Sequence, residues 1–200
     1  AFSGLLVDVR DRLRPFRDLM FPRLVLLEIR DSGFHGHLLK GGEPLPLSLL
    51  APMPALTCRD GFPLEKEAIG DLVGDLLLNE RVLEAYVLAV LPFSASHWRV
   101  LVNPFRTPPD DPVDELRQME PALSLPFSLK DAYFDLYPLP GKEEQLLLVA
   151  SEAKLVDAWI DVFRLAGVKL ERLAPAQGCL LAALTDELVD SPDDELTAFL

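Results

Sequence analysis

The sequence predicts an α/β protein in which three meandering strands, a crossover helix and a returning strand build one lobe, with a smaller α+β unit inserted into it. Three observations carry this reading. From residue 24 on, strand-like apolar runs come before the next helical stripe; the spacing of apolar residues moves from a period of about 2 to about 3.6 and back; and Gly, Pro and Asp-Ser-Gly clusters fall where the period changes. The expected divisions are an amphipathic leader over residues 1–23, the lobe over 24–95 together with 174–200, and the inserted α+β subdomain over 96–173.

In the leader, Leu5, Val9, Leu13, Phe16 and Met20 recur at helical spacing, interrupted by Pro15. Its five arginines make it the one locally basic stretch of the chain, which reads as a helix docked on its own domain or a flexible leader, with a membrane-surface or acidic-partner role as the alternative. From Leu24 the period becomes that of strands: LVLLEIR, a turn at Asp31-Ser32-Gly33, then FHGHLLK, a β-hairpin. The continuous apolar run in the first of these predicts burial on both faces. Gly41-Gly42 makes the next turn, and residues 45–50 offer a third strand weakened by Pro44 and Pro46. A Pro-rich connector over 52–63 leads to a helix over 65–79, whose stripe is Ala68, Ile69, Leu72, Val73, Leu76 and Leu77. Tyr86–Leu91 then reads as a buried strand.

The second half opens on a strand from Trp98 to Val102 and a rigid turn over 107–112. Residues 113–123 read as a helix with Val113, Leu116 and Met119 inward and Pro121 expected to kink or end it. Ala132–Leu139 alternates as a half-exposed strand, and 146–150 is a second, apolar one. Ser151 is placed to cap a helix running to Ala166, with Leu155, Val156, Trp159, Ile160 and Phe163 on its apolar face and Gly167 in the left-handed position that ends it. A strand over 168–173 and a helix over 175–188 complete the order. Three meandering strands, a crossover helix and a parallel strand are the topology of the ribonuclease H-like core shared by actin, Hsp70 chaperones and sugar kinases.

Composition narrows the function classes. Of 200 residues, 19 are Lys or Arg and 32 are Asp or Glu, so the net charge of -13 repels phosphate backbones and anionic headgroups. Nucleic acid is excluded as an expected partner. No apolar run reaches the ~18 residues of a membrane span. Cys58 and Cys179 are far apart in apolar surroundings and read as free thiols. The chain begins with Ala and stops just as an apolar run starts after Ser191-Pro192-Asp193-Asp194, so the natural protein is expected to be longer.

Several landmarks of the second half occur together: the acidic helix over 114–120, the corner Leu125-Pro126-Phe127, the aromatic strand Tyr133-Phe134-Asp135-Leu136-Tyr137, the run Leu148-Val149-Ala150-Ser151, and the helix exit Arg164-Leu165-Ala166-Gly167-Val168. In this order and spacing the chain resembles the type IV pilus assembly protein PilM family of the actin-like ATPase superfamily. The resemblance implies a ribonuclease H-like (actin-like) first lobe with an inserted small α+β subdomain. It further implies a cytoplasmic scaffold or adaptor, peripheral to the inner membrane through a partner. In that family the groove between the lobe and the inserted subdomain receives the cytoplasmic peptide of a PilN-like inner-membrane protein. Leu125, Pro126, Phe127 and Tyr133 are the residues expected to line such a surface, whose acidic character suits a basic peptide. Other pilus or secretion assembly components are the remaining expected partners.

The superfamily also implies a phosphate loop directly after the first strand. Glu28, Ser32 and Gly33 stand where its acid, hydroxyl and glycine belong. Arg30, however, replaces a small residue there, and Asp31 adds a negative charge beside a site meant for phosphates. The expectation is therefore a binding protein with no cofactor, ATP and magnesium entering only in a longer native chain; the first half of an actin-like ATPase is the alternative. A cytoplasmic actin-like domain of a type II secretion platform is the third reading. His35 and His37 share one side of a strand but lack a third ligand at metal-binding spacing, and Asp110, Asp111 and Asp114 read as a solvated helix start.

Overall fold

A computed structural model describes residues 23–40, 43–102, 116, 118, 120–121, 123–139 and 142–184. The leader, Val113, Met119, the Asp110–Asp111–Asp114 cluster, the Gly41-Gly42 turn and the end of the last helix lie outside the described residues. The strands are β1 (Leu24–Arg30), β2 (Gly33–Lys40), β3 (Glu43–Pro52), β4 (Cys58–Arg59), β5 (Phe62–Pro63), β6 (Tyr86–Leu91), β7 (His97–Val102), β8 (Ala132–Leu139), β9 (Lys142–Glu152) and β10 (Lys169–Pro175). The helices are α1 (Lys66–Asn79), α2 (Ala153–Leu165) and α3 (Ala176–Ala183).

Two compact units divide the chain. The first holds the residues up to Pro92 and Ala158–Ala174; the second holds Phe93–Asp157 and the residues from Pro175 on. In the first unit a five-stranded sheet runs β10-β6-β1-β2-β3. β1 pairs antiparallel with β2, β2 antiparallel with β3, and β1 parallel with β6, so α1 is the crossover that a parallel return requires. This is the ribonuclease H-like order expected from the sequence.

One face of the sheet forms the core. Val25, Leu27 and Ile29 are fully buried, and their partners Leu38, Gly36 and Phe34 share that face. Burial on both faces of β1 was the expectation, but the opposite face leaves Leu24 and Glu28 half-buried and Leu26 exposed. The apolar run is therefore read by the pleat in alternation. On the buried face Phe34 meets Trp159 edge to face at 6.1 Å, and α2 also supplies fully buried Val162 and Phe163. Burying each such side chain stabilises by about 1.5–3 kcal/mol. Ile160, expected on this stripe, is exposed instead; Ala158 and Val162 take its place, because the buried arc of the helix is centred on Trp159 and Phe163.

In α1, Ile69, Val73 and Leu77 are buried and Ala68 is exposed. Gly70 lets α1 approach α2 closely, since a Cβ there would stand 3.0 Å from Leu165 Cβ and 3.2 Å from the Val162 carbonyl oxygen. Lys66 reaches Asp161 at 2.8 Å between the same two helices. The end of α2 follows the expected pattern: Gly167 at φ 69° donates to Arg164 O, and Val168 donates to Phe163 O.

Two departures have clear causes. The Pro-rich connector contains the short β4–β5 ladder, held by Asp31, whose carboxylate accepts from the Gly61 amide at 2.8 Å. Burial first and Asp31 second push the Cys58 thiol up to about 12. The strand β10, expected inside the inserted subdomain, instead lies beside β6 in the five-stranded sheet. Its partner is remote in sequence, so its membership is decided by pairing rather than by its place in the chain.

The second unit carries a three-stranded sheet, β7-β9-β8, antiparallel throughout. Leu101, Leu116, Leu123, Leu129 and Leu148 form its core, with Leu125, Phe134 and Leu136 packed against it. Ser151 is not a helix cap. It lies in β9, where its buried hydroxyl bonds that of Ser96 at 2.8 Å, and the helix begins after Glu152. Pro121 and Leu123 are both helical, and Ser124 at φ 50° follows them outside the helical region.

Candidate peptide-binding groove

The end of this helix and the bend after it form an open groove in the second unit. Its volume is about 520 Å³, and its described lining is Glu120, Pro121, Ser124, Leu125, Pro126, Phe127 and Ser128. Each wall has a specific support. Arg99 on β7 spans three carbonyls: Nε donates to Leu123 O at 2.9 Å, Nη2 to Ser124 O at 3.0 Å and Nη1 to Trp98 O at 2.7 Å. The planar guanidinium thus satisfies the last carbonyls of a helix, which otherwise lack partners. Glu120 accepts from the Leu129 amide at 3.3 Å, linking the helix to the next turn. Phe127 is half-buried and stands edge-on to His97 at 5.4 Å.

Chemically the groove is a mixed trough, in which Pro121, Leu125, Pro126 and Phe127 stand beside Ser124, Ser128 and the one carboxylate of the described lining, Glu120. Leu125 divides its surface between the groove and the core cluster, Pro126 is exposed and lacks an N–H, and Glu120 is the charged residue of the described lining. Such a surface suits an extended segment with apolar side chains and a cation. Three of the four residues picked out from the sequence meet here. Tyr133 does not: it sits on the exposed face of β8, and its hydroxyl donates to Asp157 at 3.1 Å. The alternation of the strand turns Phe134, not Tyr133, toward the core. Glu120 and Arg99 were not singled out from the sequence; Glu120 stood in the acidic helix, but nothing in the local pattern around Arg99 marks it as a clamp.

The three residues at the phosphate-loop position lie in the first unit. Arg30 Nη2 is 2.5 Å from Glu28 Oε2, and the Glu28 carboxyl is held below the usual carboxylate range chiefly by this bond, with His35 at 3.8 Å adding to it. Gly33 has φ 149°, and a Cβ on it would stand 2.3 Å from Ala51 O and 2.9 Å from Pro52 Cα. The backbone of β3 therefore fills the space beside Gly33, and Ser32 O is already taken by the Met53 amide at 2.9 Å. A cavity of about 270 Å³ opens next to the turn, lined in part by Arg30, Ser32, His35 and Leu50. In this arrangement the acid is paired to a guanidinium and the glycine has the backbone of β3 against it. His35 and His37 lie 5.0 Å apart between ring centres, and among the described residues no group of three metal-binding side chains forms.

Comparison with solved structures places this geometry. The chain is similar to the chain of a PilM–PilN type IV pilus biogenesis complex at 24% identity and a TM-score of 0.66, over 85% of this chain and 52% of that one. It shares that fold. It is also similar to the cytoplasmic domain of EpsL, an inner-membrane component of the type II secretion system of Vibrio cholerae, at 13% identity and a TM-score of 0.50, over 76% of this chain and 57% of that one. A Bacteroides thetaiotaomicron protein with an actin-like ATPase fold and unknown function matches at 6% identity and a TM-score of 0.46, over 87% and 58%. The chain thus spans between about half and three-fifths of the length of these structures. No protein-family model matches the chain, and neither does any curated protein. Among the described residues no helix is long and apolar enough to cross a membrane.

Proposed function

We propose that this chain is part of a PilM-like adaptor of a type IV pilus assembly platform, and that it docks a cytoplasmic peptide of a PilN-like inner-membrane protein. The observation that carries the reading is the groove itself: Leu125, Pro126 and Phe127 come together with Glu120 in one trough of about 520 Å³. Support comes from the fold shared with the chain of the PilM–PilN complex. The peptide would lay apolar side chains against Leu125 and Phe127 and set a cation near Glu120, and the net charge of -13 would speed its approach. In this reading the groove is built on a rigid support, because Arg99 ties its helical wall to β7.

The test is fluorescence anisotropy with the labelled cytoplasmic N-terminal peptide of the PilN-like protein. Phe127→Ala is expected to weaken binding about tenfold or more, the loss typical of a buried aromatic anchor, with little change in unfolding midpoint. Unchanged affinity in a folded variant removes the groove assignment.

A second reading has an observation behind it. The likeness to the EpsL cytoplasmic domain supports a place in a type II secretion platform. The two differ in which inner-membrane peptide binds, so the same assay run with peptides from both systems separates them.

A further inference from the structure

Ile69, Val73 and Leu77 bury one face of α1. Its solvent side carries Glu67, Ala68, Asp71, Asp75 and Leu78 at spacings of three and four, with Leu64 just ahead of the helix. All six are exposed, Leu64 by 48% and Leu78 by 58%. Glu67, Asp71 and Asp75 follow one another four residues apart, and like charges at that spacing destabilise a helix. The one cation of the helix, Lys66, is turned away to Asp161.

The turn beside the helix adds a further leucine to this surface. Thr57 O accepts from the Leu64 amide at 2.7 Å and from the Glu65 amide at 3.2 Å, which fixes the turn against the start of α1. The Thr57 hydroxyl closes the turn by donating to Pro54 O at 2.7 Å. At its tip Leu56 has φ 64° and is 88% exposed. A bulky side chain is disfavoured in the left-handed region, where glycine sits without cost. The fold therefore holds a leucine both in strain and in water, and strain of this kind is kept where a function uses it.

We propose that this surface docks a basic amphipathic helix of a partner protein. The apolar side of that helix lies against Leu56, Leu64 and Leu78, and its Lys or Arg side chains meet Glu67, Asp71 and Asp75. The choice of occupant follows from charge complementarity. The solvent side of α1 holds three carboxylates and no cation, in a chain whose net charge is -13. A second copy or an anionic bilayer is repelled by such a surface, and a cationic segment is drawn to it. Cations four residues apart on the partner match the spacing of the three carboxylates, and the leucines supply the apolar contact that charge alone lacks. The surface lies in the first unit and the peptide groove in the second, so the proposal stands apart from the groove and from what fills it.

The test is fluorescence anisotropy of the full chain with a labelled peptide about 18 residues long, enough to be helical, that carries leucines on one face and lysines on the other. A twin with glutamate in place of lysine is the control. The lysine peptide is expected to bind and the glutamate twin not to. Asp71→Lys should weaken binding about tenfold or more, whereas Glu144→Lys, an exposed position on β9 with the same change in net charge, should stay within about twofold of wild type. Leu56→Gly should also weaken binding about tenfold, yet raise the melting midpoint, because glycine relieves the left-handed strain while removing the anchor. Circular dichroism confirms that each variant folds. The proposal is overturned by a lysine peptide that does not bind, by equal losses in Asp71→Lys and Glu144→Lys, which would mean general attraction to an acidic chain, or by a Leu56→Gly variant that binds as tightly or melts lower than wild type.

Discussion

Trp159 donates its indole N–H to the carbonyl of Gly61, 2.8 Å away, and so ties the middle of α2 to the short β4–β5 turn. Both residues are buried, and the same indole meets Phe34 edge-on. One side chain therefore joins the sheet, a helix and a proline-rich connector.

Trp159→Phe keeps most of the ring packing and leaves the Gly61 carbonyl buried without its donor. The expected loss is about 1–3 kcal/mol, against about 3–5 kcal/mol for Trp159→Ala, which also opens a cavity. Urea unfolding of both variants measures the difference. Equal losses would mean that the bond contributes nothing beyond the packing.

Gly33→Ala tests the close approach of β3 to the hairpin. The new methyl would meet Ala51 O at 2.3 Å and sit on a residue at φ 149°. A loss of at least ~2 kcal/mol is expected from strain and overpacking together. A thermal melt within a degree of wild type would show that β3 yields easily and that Ala51 and Pro52 do not close the space beside the turn.

The Glu28–Arg30 pair gives a pH dependence with a definite sign. Arg30 holds the folded-state carboxyl of Glu28 below its ordinary value. A depressed folded value contributes stability above the unfolded value and loses it as pH falls through the folded one. The stability difference between wild type and Arg30→Ala is therefore expected at neutral pH and should close on acidification through and below the ordinary carboxylate range. It will be small, because both side chains are about half exposed and screened by water. Chemical denaturation at a series of pH values reads it; a difference that persists unchanged in strong acid would assign the effect to something other than this pair.

Periodicity made the local elements legible. The hairpin at Asp31-Ser32, the helix now seen as Lys66–Asn79, the strand Ala132–Leu139 and the glycine exit at Gly167 all follow from spacing and turn chemistry that act over a few residues. The misplaced features each depend on a partner far along the chain. Ser151 has the right residue type and position for a helix cap, but Ser96, 55 residues earlier, holds its hydroxyl in a strand. β10 follows α2 as an inserted strand would, yet it lies beside β6.

The candidate site divides in the same way. Leu125-Pro126-Phe127 stood out as a corner, because Pro126 and the residues around it break regular structure wherever they occur. That the corner becomes one wall of a trough was decided by Arg99, which reaches the Leu123 and Ser124 carbonyls across 24 and 25 residues, and by Glu120, which accepts from Leu129. Tyr133 belonged with the corner only by proximity in sequence, and the pleat of β8 sent it to Asp157. By itself the sequence determined the elements, the ribonuclease H-like order and the acidic surface, since these rest on local backbone preference and summed charge. Only the tertiary structure decided that Glu28 is matched to Arg30, that Gly33 lies against β3 and that a groove forms beside Phe127. Those outcomes depend on which distant groups come within bonding distance, and local spacing carries no record of that.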